Sequence, residues 1–447
     1  MEKKKKDDKL NLKIGLKDID PGALFIIKKL NDGGYEALVV GGCIRNLVMG
    51  EEAHDWDITT SATPEEISRT FKGYKVVPIG EKYGTIMVVI KAVNYQVTTF
   101  RGKDKLKGIE ETEVAKWTSL LLEDLKHRDF TINTLVWGEK EGVLDYFKGL
   151  EDIKRRVIKG VEDPSERMKE DPLRMLRAIR MVCKLDFKID QATLQEIKKN
   201  SILIKKVSPE RIRDELIKIL LSNFPKRGFK LLQQLGLLQF ILPELERCVG
   251  FYREDFCPNK DLFEHILNLL NNLPPDLALH LVALLSEITQ PPSNSQTSRK
   301  EVAAKILRRL KFKNSIIKKV SILVQEDWRA IDFLNPKNIR QFISKCGEEN
   351  ILNVLELKRT DIKIGKKIAK LKQLEKMEQQ VREALEEKPP VSLKDLAING
   401  KDLIDLGYQE GVELGRMLKS LLEIVIDKPE LNRRERLLEF LETGLIK

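Results

Sequence analysis

Cysteine is scarce in this chain. Five (Cys43, Cys183, Cys248, Cys257 and Cys346) are scattered through 447 residues. Their number is odd and no two have metal-ligand spacing, so reduced thiols are expected rather than a disulfide framework or a zinc module. There are four histidines. Of these, His265 and His280 lie on helical stretches without metal-ligand company and read as packing or surface residues. Aromatic residues make up 6% of the chain, and no glycine-rich or aromatic-stacking RNA module is visible. Long apolar runs are missing too. No window approaches the ~20 residues of a membrane span. The N-terminal MEKKKKDDK has the charge of a signal n-region, but no apolar stretch follows it. A soluble, cytoplasmic protein without membrane contact is expected. No internal repeat or low-complexity tract appears.

What is present is ordinary for a globular protein: 42% hydrophobic and 33% charged residues. The length suggests about three domains. Eighty Lys and Arg against 69 Asp and Glu leave a net charge of +11 and a pI near 9.1. That surplus fits a polyanionic partner, nucleic acid ahead of membrane. It fits equally a lysine-rich surface carrying both signs in abundance.

Strand-like signals are confined to the first third: EALVVGG (36–42), YKVVPIG (74–80), TIMVVIKA (85–92) and YQVTTFR (95–101). Between the first two, Thr63-Pro64-Glu65-Glu66 has the makings of a capping box with proline at the first helical position. From about residue 165 the pattern is helical, with apolar residues three and four apart in PERIRDELIKILL (209–221), DLFEHILNLLNNL (261–273) and EVAAKILRRLKF (301–312). PPSNSQTS (291–298) and Pro389-Pro390 mark breaks. The expected fold class is α+β, a small α/β head followed by an elongated helical body and tail.

Three constellations carry chemistry. Asp55 and Asp57 in HDWDI follow Gly41-Gly42-Cys43-Ile44-Arg45. On a strand, an i, i+2 pair projects to one face. Two convergent carboxylates beside a glycine turn and an arginine can hold Mg²⁺ and a triphosphate. Next comes His127-Arg128-Asp129-Phe130-Thr131-Ile132-Asn133. Arg128 can clamp a phosphate and Asp129 accept a ribose hydroxyl, or the two can form a plain surface ion pair. The third is Glu170-Asp171-Pro172-Leu173-Arg174, continuing to Arg177 and Arg180. Read as one helix, Asp171 and Arg174 are surface neighbours and could be an ordinary i, i+3 salt bridge. Alternatively they read a base. A carboxylate accepts from an exocyclic amino group and a guanidinium donates to ring acceptors, a combination that cytosine and adenine offer but uracil and guanine do not.

Taken in order, GGCIR, HDWDITTSATPEE, GEKYGT, VTTFR, LEDLKHRDFTIN and EDPLRMLRAIR resemble the class II nucleotidyltransferases over about residues 36–187. That family comprises the bacterial CCA-adding tRNA nucleotidyltransferases, their CC- and A-adding relatives and the bacterial poly(A) polymerases. Near the C-terminus, DLAINGKDLIDLG (395–407) is similar to the tRNA-contacting tail of the CCA-adding enzymes. The resemblance implies a polymerase-β-like nucleotidyltransferase head over residues 1–155, then an all-α neck (156–222), body (223–325) and tail (326–447). It further implies template-independent addition of CCA, or part of it, to tRNA 3′ ends from CTP and ATP with release of pyrophosphate. By position, Asp55 and Asp57 would be the catalytic, Mg²⁺-holding residues. Gly42 and Arg45 would cradle the triphosphate, while Arg128 and Asp129 would hold phosphate and sugar. Asp171 and Arg174 would read the base, with Arg177 and Arg180 supporting the phosphates. No obligate protein partner is implied.

The chain departs from the family pattern at several positions. Asn46 stands where Asp usually follows the GGxxR arginine, Gln96 replaces a Glu near the metals, and His127 replaces an arginine. Glu110-Glu111 fall where CCA-adding members commonly carry two arginines in the loop that switches specificity from C to A. A CC-adding enzyme is therefore one alternative, and a catalytically degraded tRNA-binding protein another. Glu81-Lys82-Tyr83-Gly84-Thr85 is the CCA-type version of a segment that differs in poly(A) polymerases. In the body, Ser286-Glu287 replaces a His-Asp dyad, so no phosphatase activity is expected there.

Overall fold

The computed structural model describes residue 10 and residues 12–80, 84–102, 116–117, 121–252, 261–288, 298–326, 328–366 and 369–442. Glu81, Lys82, Tyr83, Glu110, Glu111 and most of PPSNSQTS lie outside these residues. The chain divides into two compact units. One is Met1–Val207 with Gln234–Phe240, the other Ser208–Gln233 with Ile241–Lys447.

The first unit is built on a seven-stranded sheet. Helix α1 (Pro21–Asp32) precedes strand β1 (Ala37–Val40), helix α2 (Gly42–Val48) and strand β2 (Asp57–Thr60). Helix α3 (Pro64–Thr70) leads to β3 (Lys75–Gly80), β4 (Thr85–Ile90) and β5 (Val93–Thr99). The short pair β6 (Arg101–Gly102) and β7 (Lys116–Trp117), helix α4 (Leu121–Lys126), and β8 (Val136–Gly138) and β9 (Gly142–Leu144) follow. The sheet order is β3-β4-β5-β2-β1-β8-β9. Every residue of the interior strand β1 is buried, as expected for ALVV flanked on both sides. Among the described residues of this sheet, β2 and β5 are the only pair that runs parallel.

Sheet alternation sorts the two faces. Ile58, Thr60, Val97 and Thr99 are buried on one face, and Asp57 and Thr59 point to the other with Gln96 and Thr98 across from them. Tyr95, on the first face, donates its hydroxyl proton to Asp20, which also caps α1 by accepting from the Gly22 and Ala23 amides. Thr63 and Glu66 form the expected capping box on α3, with Pro64 at its first position.

After α5 (Gly149–Lys154), two-residue strands β10 (Val157–Ile158) and β11 (Lys188–Ile189) pair in parallel around α6 (Pro164–Glu170) and α7 (Arg174–Leu185). Strands therefore extend past the first third of the chain. Two residues are too few to show an alternation in sequence.

In the second unit, the expected helices are Pro209–Leu220, Leu262–Asn272 and Arg299–Arg309. His265 is a core residue whose Nε2 lies 3.1 Å from Asp361. Arg329 sits 3.5 Å from the same carboxylate and also pairs with Glu287, so its guanidinium joins the two acids. DLAINGKDLIDLG folds into a satellite core, where Leu396, Ile398 and Leu403 pack with Leu421, Val425 and Leu437.

Candidate active site

The site begins where β1 ends. Val40 lies opposite Asp57 on β2 and opposite Val136 on β8, so the turn after β1 opens beside the carboxylate. That turn is Gly41, at φ 89° and ψ −133°, a conformation essentially restricted to glycine. It donates its amide to Leu135 and starts α2. A Cβ built there would lie 3.4 Å from Arg128 Nη1 and 3.9 Å from Asp57 Oδ2, which places these two groups around the turn.

Burial holds the Asp57 carboxyl above its ordinary range, Arg128 pulls it down, Asp55 pushes it up and Arg177 lowers it. The two carboxylates are thus close enough to feel each other, although Asp55 is exposed and precedes β2 rather than lying on it. A cation between them would relieve both the burial and the mutual repulsion. The donors are hard oxygens, so they suit Mg²⁺ with remaining positions left for water and phosphate. Gln96 is registered directly across from Asp57 on β5, the place of a third carboxylate in the family pattern. Among the described residues no group of three or more His, Cys, Asp or Glu converges to hold a metal. Burial and the Asp57 charge push the Cys43 thiol up to about 12, which disfavours its thiolate.

Arginines surround the carboxylates. Arg45 is 2% exposed; its guanidinium donates to Asn133 Oδ1, to Asn46 Oδ1 at 2.8 Å and, at 3.9 Å, to Met181 Sδ. Asn46 thus serves as acceptor for its neighbouring arginine. Arg128 lies 3.6 Å from Asp124, which in turn accepts from Thr59 at 3.0 Å. Asp129 is buried. One oxygen takes the Phe130 amide at 2.8 Å and the Asn133 amide group at 3.0 Å, and the other meets Arg177 at 2.6 Å. Burial alone would raise that carboxyl, but Arg177, with Asn133, brings it below its ordinary value.

The Asp171–Arg174 pair differs from the helical expectation. Helix α7 starts at Arg174, and Asp171 sits in the elbow after α6 with extended backbone, φ −140° and ψ 95°. Pro172 is the reason, since a residue before proline is pushed out of the helical region. Asp171 accepts the Leu173 amide at 3.2 Å, and the Arg174 amide donates to the Asp171 carbonyl at 3.0 Å. Arg174 pairs instead with Glu170, at 3.1 Å, and donates to the Arg167 and His127 carbonyls. Arg167, 3% exposed, holds Glu170 at 2.8 Å and the Lys126 carbonyl at 2.8 Å, and reaches the His127 ring at 3.3 Å. Although burial opposes it, this partner set of His127, Arg167 and Arg174 holds the Glu170 carboxyl down at about 2.

The structure thus gathers Gly42, Arg45, Asp55, Asp57, Arg128, Asp129 and Arg177 around one turn, and it places Asp171 and Arg174 on the α6–α7 elbow, joined to the head through His127. Arg180 is close enough to Arg45 for their charges to repel. Sequence reasoning passed over Asn133, Arg167 and Glu170 as site residues. Asn133 stands four residues after Asp129, and Glu170 stands four residues before Arg174, the spacing of a helical ion pair.

Comparison with known proteins shows three matching families in succession. They are the poly A polymerase head domain over residues 37–159, the RNA and SrmB-binding site of polymerase A over residues 186–248, and tRNA nucleotidyltransferase domain 2 over residues 295–441. The chain is 34% identical to the CCA-adding enzyme of Limosilactobacillus reuteri (strain DSM 20016), over 93% of this chain and 95% of that one. It is 32% identical to the CCA-adding enzyme of Ligilactobacillus salivarius (strain UCC118), with the same coverage of 93% and 95%. Its fold is similar to a crystal structure of the Bacillus stearothermophilus CCA-adding enzyme in complex with CTP. The TM-score is 0.74 at 28% identity, covering 95% of this chain and 99% of that one.

Proposed function

The chain belongs to the CCA-adding enzymes of the poly(A) polymerase family, and from that premise we propose that it adds CCA to tRNA 3′ ends. CTP and ATP are the donors, pyrophosphate is released, and the cytoplasm, where these substrates are, is its place of action. The observation that carries this reading is the convergence of Asp55 and Asp57 with Arg45, Arg128 and Arg177 around the Gly41 turn. The tRNA 3′-hydroxyl attacks the α-phosphorus in line, the new ester bond forms, and the bond to pyrophosphate breaks. Asp55 and Asp57 would hold Mg²⁺, which when bound supplies charge stabilisation to the attacking and leaving oxygens.

The remaining work is positioning. Gly42 and Arg45 face the triphosphate, with Arg128 and Arg177 adding donors for its oxygens and Arg180 supporting them. Asp129 fixes Arg177 and Asn133. A ribose hydroxyl would have to share the oxygen that Arg177 already uses. Asp171 accepts from the amino group of cytosine or adenine, and Arg174, fixed by Glu170, donates to the ring acceptors.

Full CCA addition is favoured over CC addition alone because the relatives that match over 93% of the chain are CCA-adding enzymes. Replacing Asp171 by Ala should abolish the preference for CTP and ATP over UTP and GTP, read from competing nucleotides on one tRNA transcript. Unchanged nucleotide choice would refute the base-reading assignment.

A further inference from the structure

Helix α4 ends at Lys126, and a helix end leaves its last carbonyls without amide partners. Two arginines of the α6–α7 elbow take up the carbonyls at this end. Arg167 donates to that of Lys126 at 2.8 Å, and Arg174 donates to that of His127. The next residues of the chain are Arg128, beside the Gly41 turn, and Asp129, the partner of Arg177. The elbow is therefore tied to the backbone immediately before the residues assigned to phosphate and sugar.

A single carboxylate joins the two guanidiniums. Glu170 meets Arg167 with one oxygen at 2.8 Å and Arg174 with the other at 3.1 Å. Arg174 also donates to the backbone carbonyl of Arg167 at 3.0 Å. The direction of the Arg174 side chain thus depends on Arg167 twice, through its peptide and through the acid it holds. Arg167 is buried, and its Nη1 also reaches the His127 ring. A planar fork can serve these divergent acceptors together, which a lysine ammonium cannot.

We propose that Arg167 is a positioning residue for nucleotide selection, locking the elbow to the end of α4 so that Arg174 meets the base in register with the residues that hold phosphate and sugar. This rests on the base-reading role of Arg174 proposed above. Arg167 acts through Arg174 and not on the nucleotide itself, so a ligand without a base should not sense it.

The test is equilibrium binding of CTP, UTP and inorganic pyrophosphate to the full chain in Mg²⁺ buffer, which does not depend on turnover. Arg167→Met should reduce the preference for CTP over UTP about tenfold and leave pyrophosphate binding as in the wild type. Arg174→Met should reduce the preference at least as much, and the double variant no further than Arg174→Met alone. Arg167→Lys keeps the charge beside Glu170 without the fork; its preference should fall between wild type and Arg167→Met, and it carries the test if Arg167→Met does not fold. Ile26→Val, at a buried position of α1, should lower the melting temperature by a few degrees with the preference intact. Unchanged preference in the Arg167 variants, an equal loss for pyrophosphate, losses that add in the double variant, or a matching loss in Ile26→Val would each overturn the proposal. If the wild type prefers CTP and the Arg167 variants prefer it equally, this inference fails and the base-reading role stands. A wild type that does not distinguish CTP from UTP overturns both.

Discussion

At the scale of single residues, the site depends on charges whose neighbours are known. Asp57 is held between burial and Asp55 on one side and Arg128 and Arg177 on the other. Its replacement by Ala should cut incorporation by roughly a thousandfold without lowering the melting temperature, since removing it also removes a buried charge. A loss under tenfold in a steady-state assay would contradict its role. Glu170 gives a prediction with a defined sign. Its folded-state pKa is about 2, below the ordinary 4.5, so its contribution to stability is present above 4.5 and is lost as pH falls towards about 2. Denaturant unfolding of wild type and Glu170→Gln should therefore converge as pH falls through that window. The variant should also select less well against UTP and GTP, because Arg174 loses its carboxylate partner. As candidates, Asp55, Asp57, Arg45, Arg128, Arg174 and Arg177 are readable in the sequence because motif and spacing name them; Arg167 is not, because only the fold brings it against the Lys126 carbonyl and the His127 ring.

At the scale of elements, the runs of β-branched residues located β1, β3, β4 and β5, the Thr63–Glu66 capping box located α3, and β2 was expected only from the spacing of Asp55 and Asp57. The strands β8 and β9, three residues each, escaped notice because so short a run carries no readable period. The break at Pro172 was visible as a residue type but was read through, and it moved Asp171 off the helix. The Gly41 turn offers a test of local geometry. Gly41→Ala forces a side chain onto φ 89° and should cost about 1–3 kcal/mol, lowering the melting temperature by several degrees. An unchanged melting temperature would show that the turn relaxes. The parallel register of β2 and β5 offers another. Gln96→Glu puts a carboxylate across from Asp57, and the Mg²⁺ concentration for half-maximal incorporation should fall roughly tenfold. A rise, or no change, would separate Gln96 from the metal site.

At the scale of the whole molecule, the surplus of 80 cationic over 69 anionic side chains becomes meaningful only with the substrate. The composition fitted a bland surface equally well, and the family membership decides for RNA. Recognition of tRNA through shape and backbone releases counterions, so its affinity should drop by about tenfold or more between 50 and 200 mM salt, seen by filter binding. A salt-independent affinity would contradict it. The most direct test of the function is nucleotide incorporation by the wild-type chain with Mg²⁺ on tRNA transcripts ending at the discriminator base, at C and at CC, with products resolved at single-nucleotide length. The expected result is CC from CTP and then a single A once ATP is supplied. Arrest at CC, long A tracts, or no incorporation alongside intact tRNA binding would contradict it.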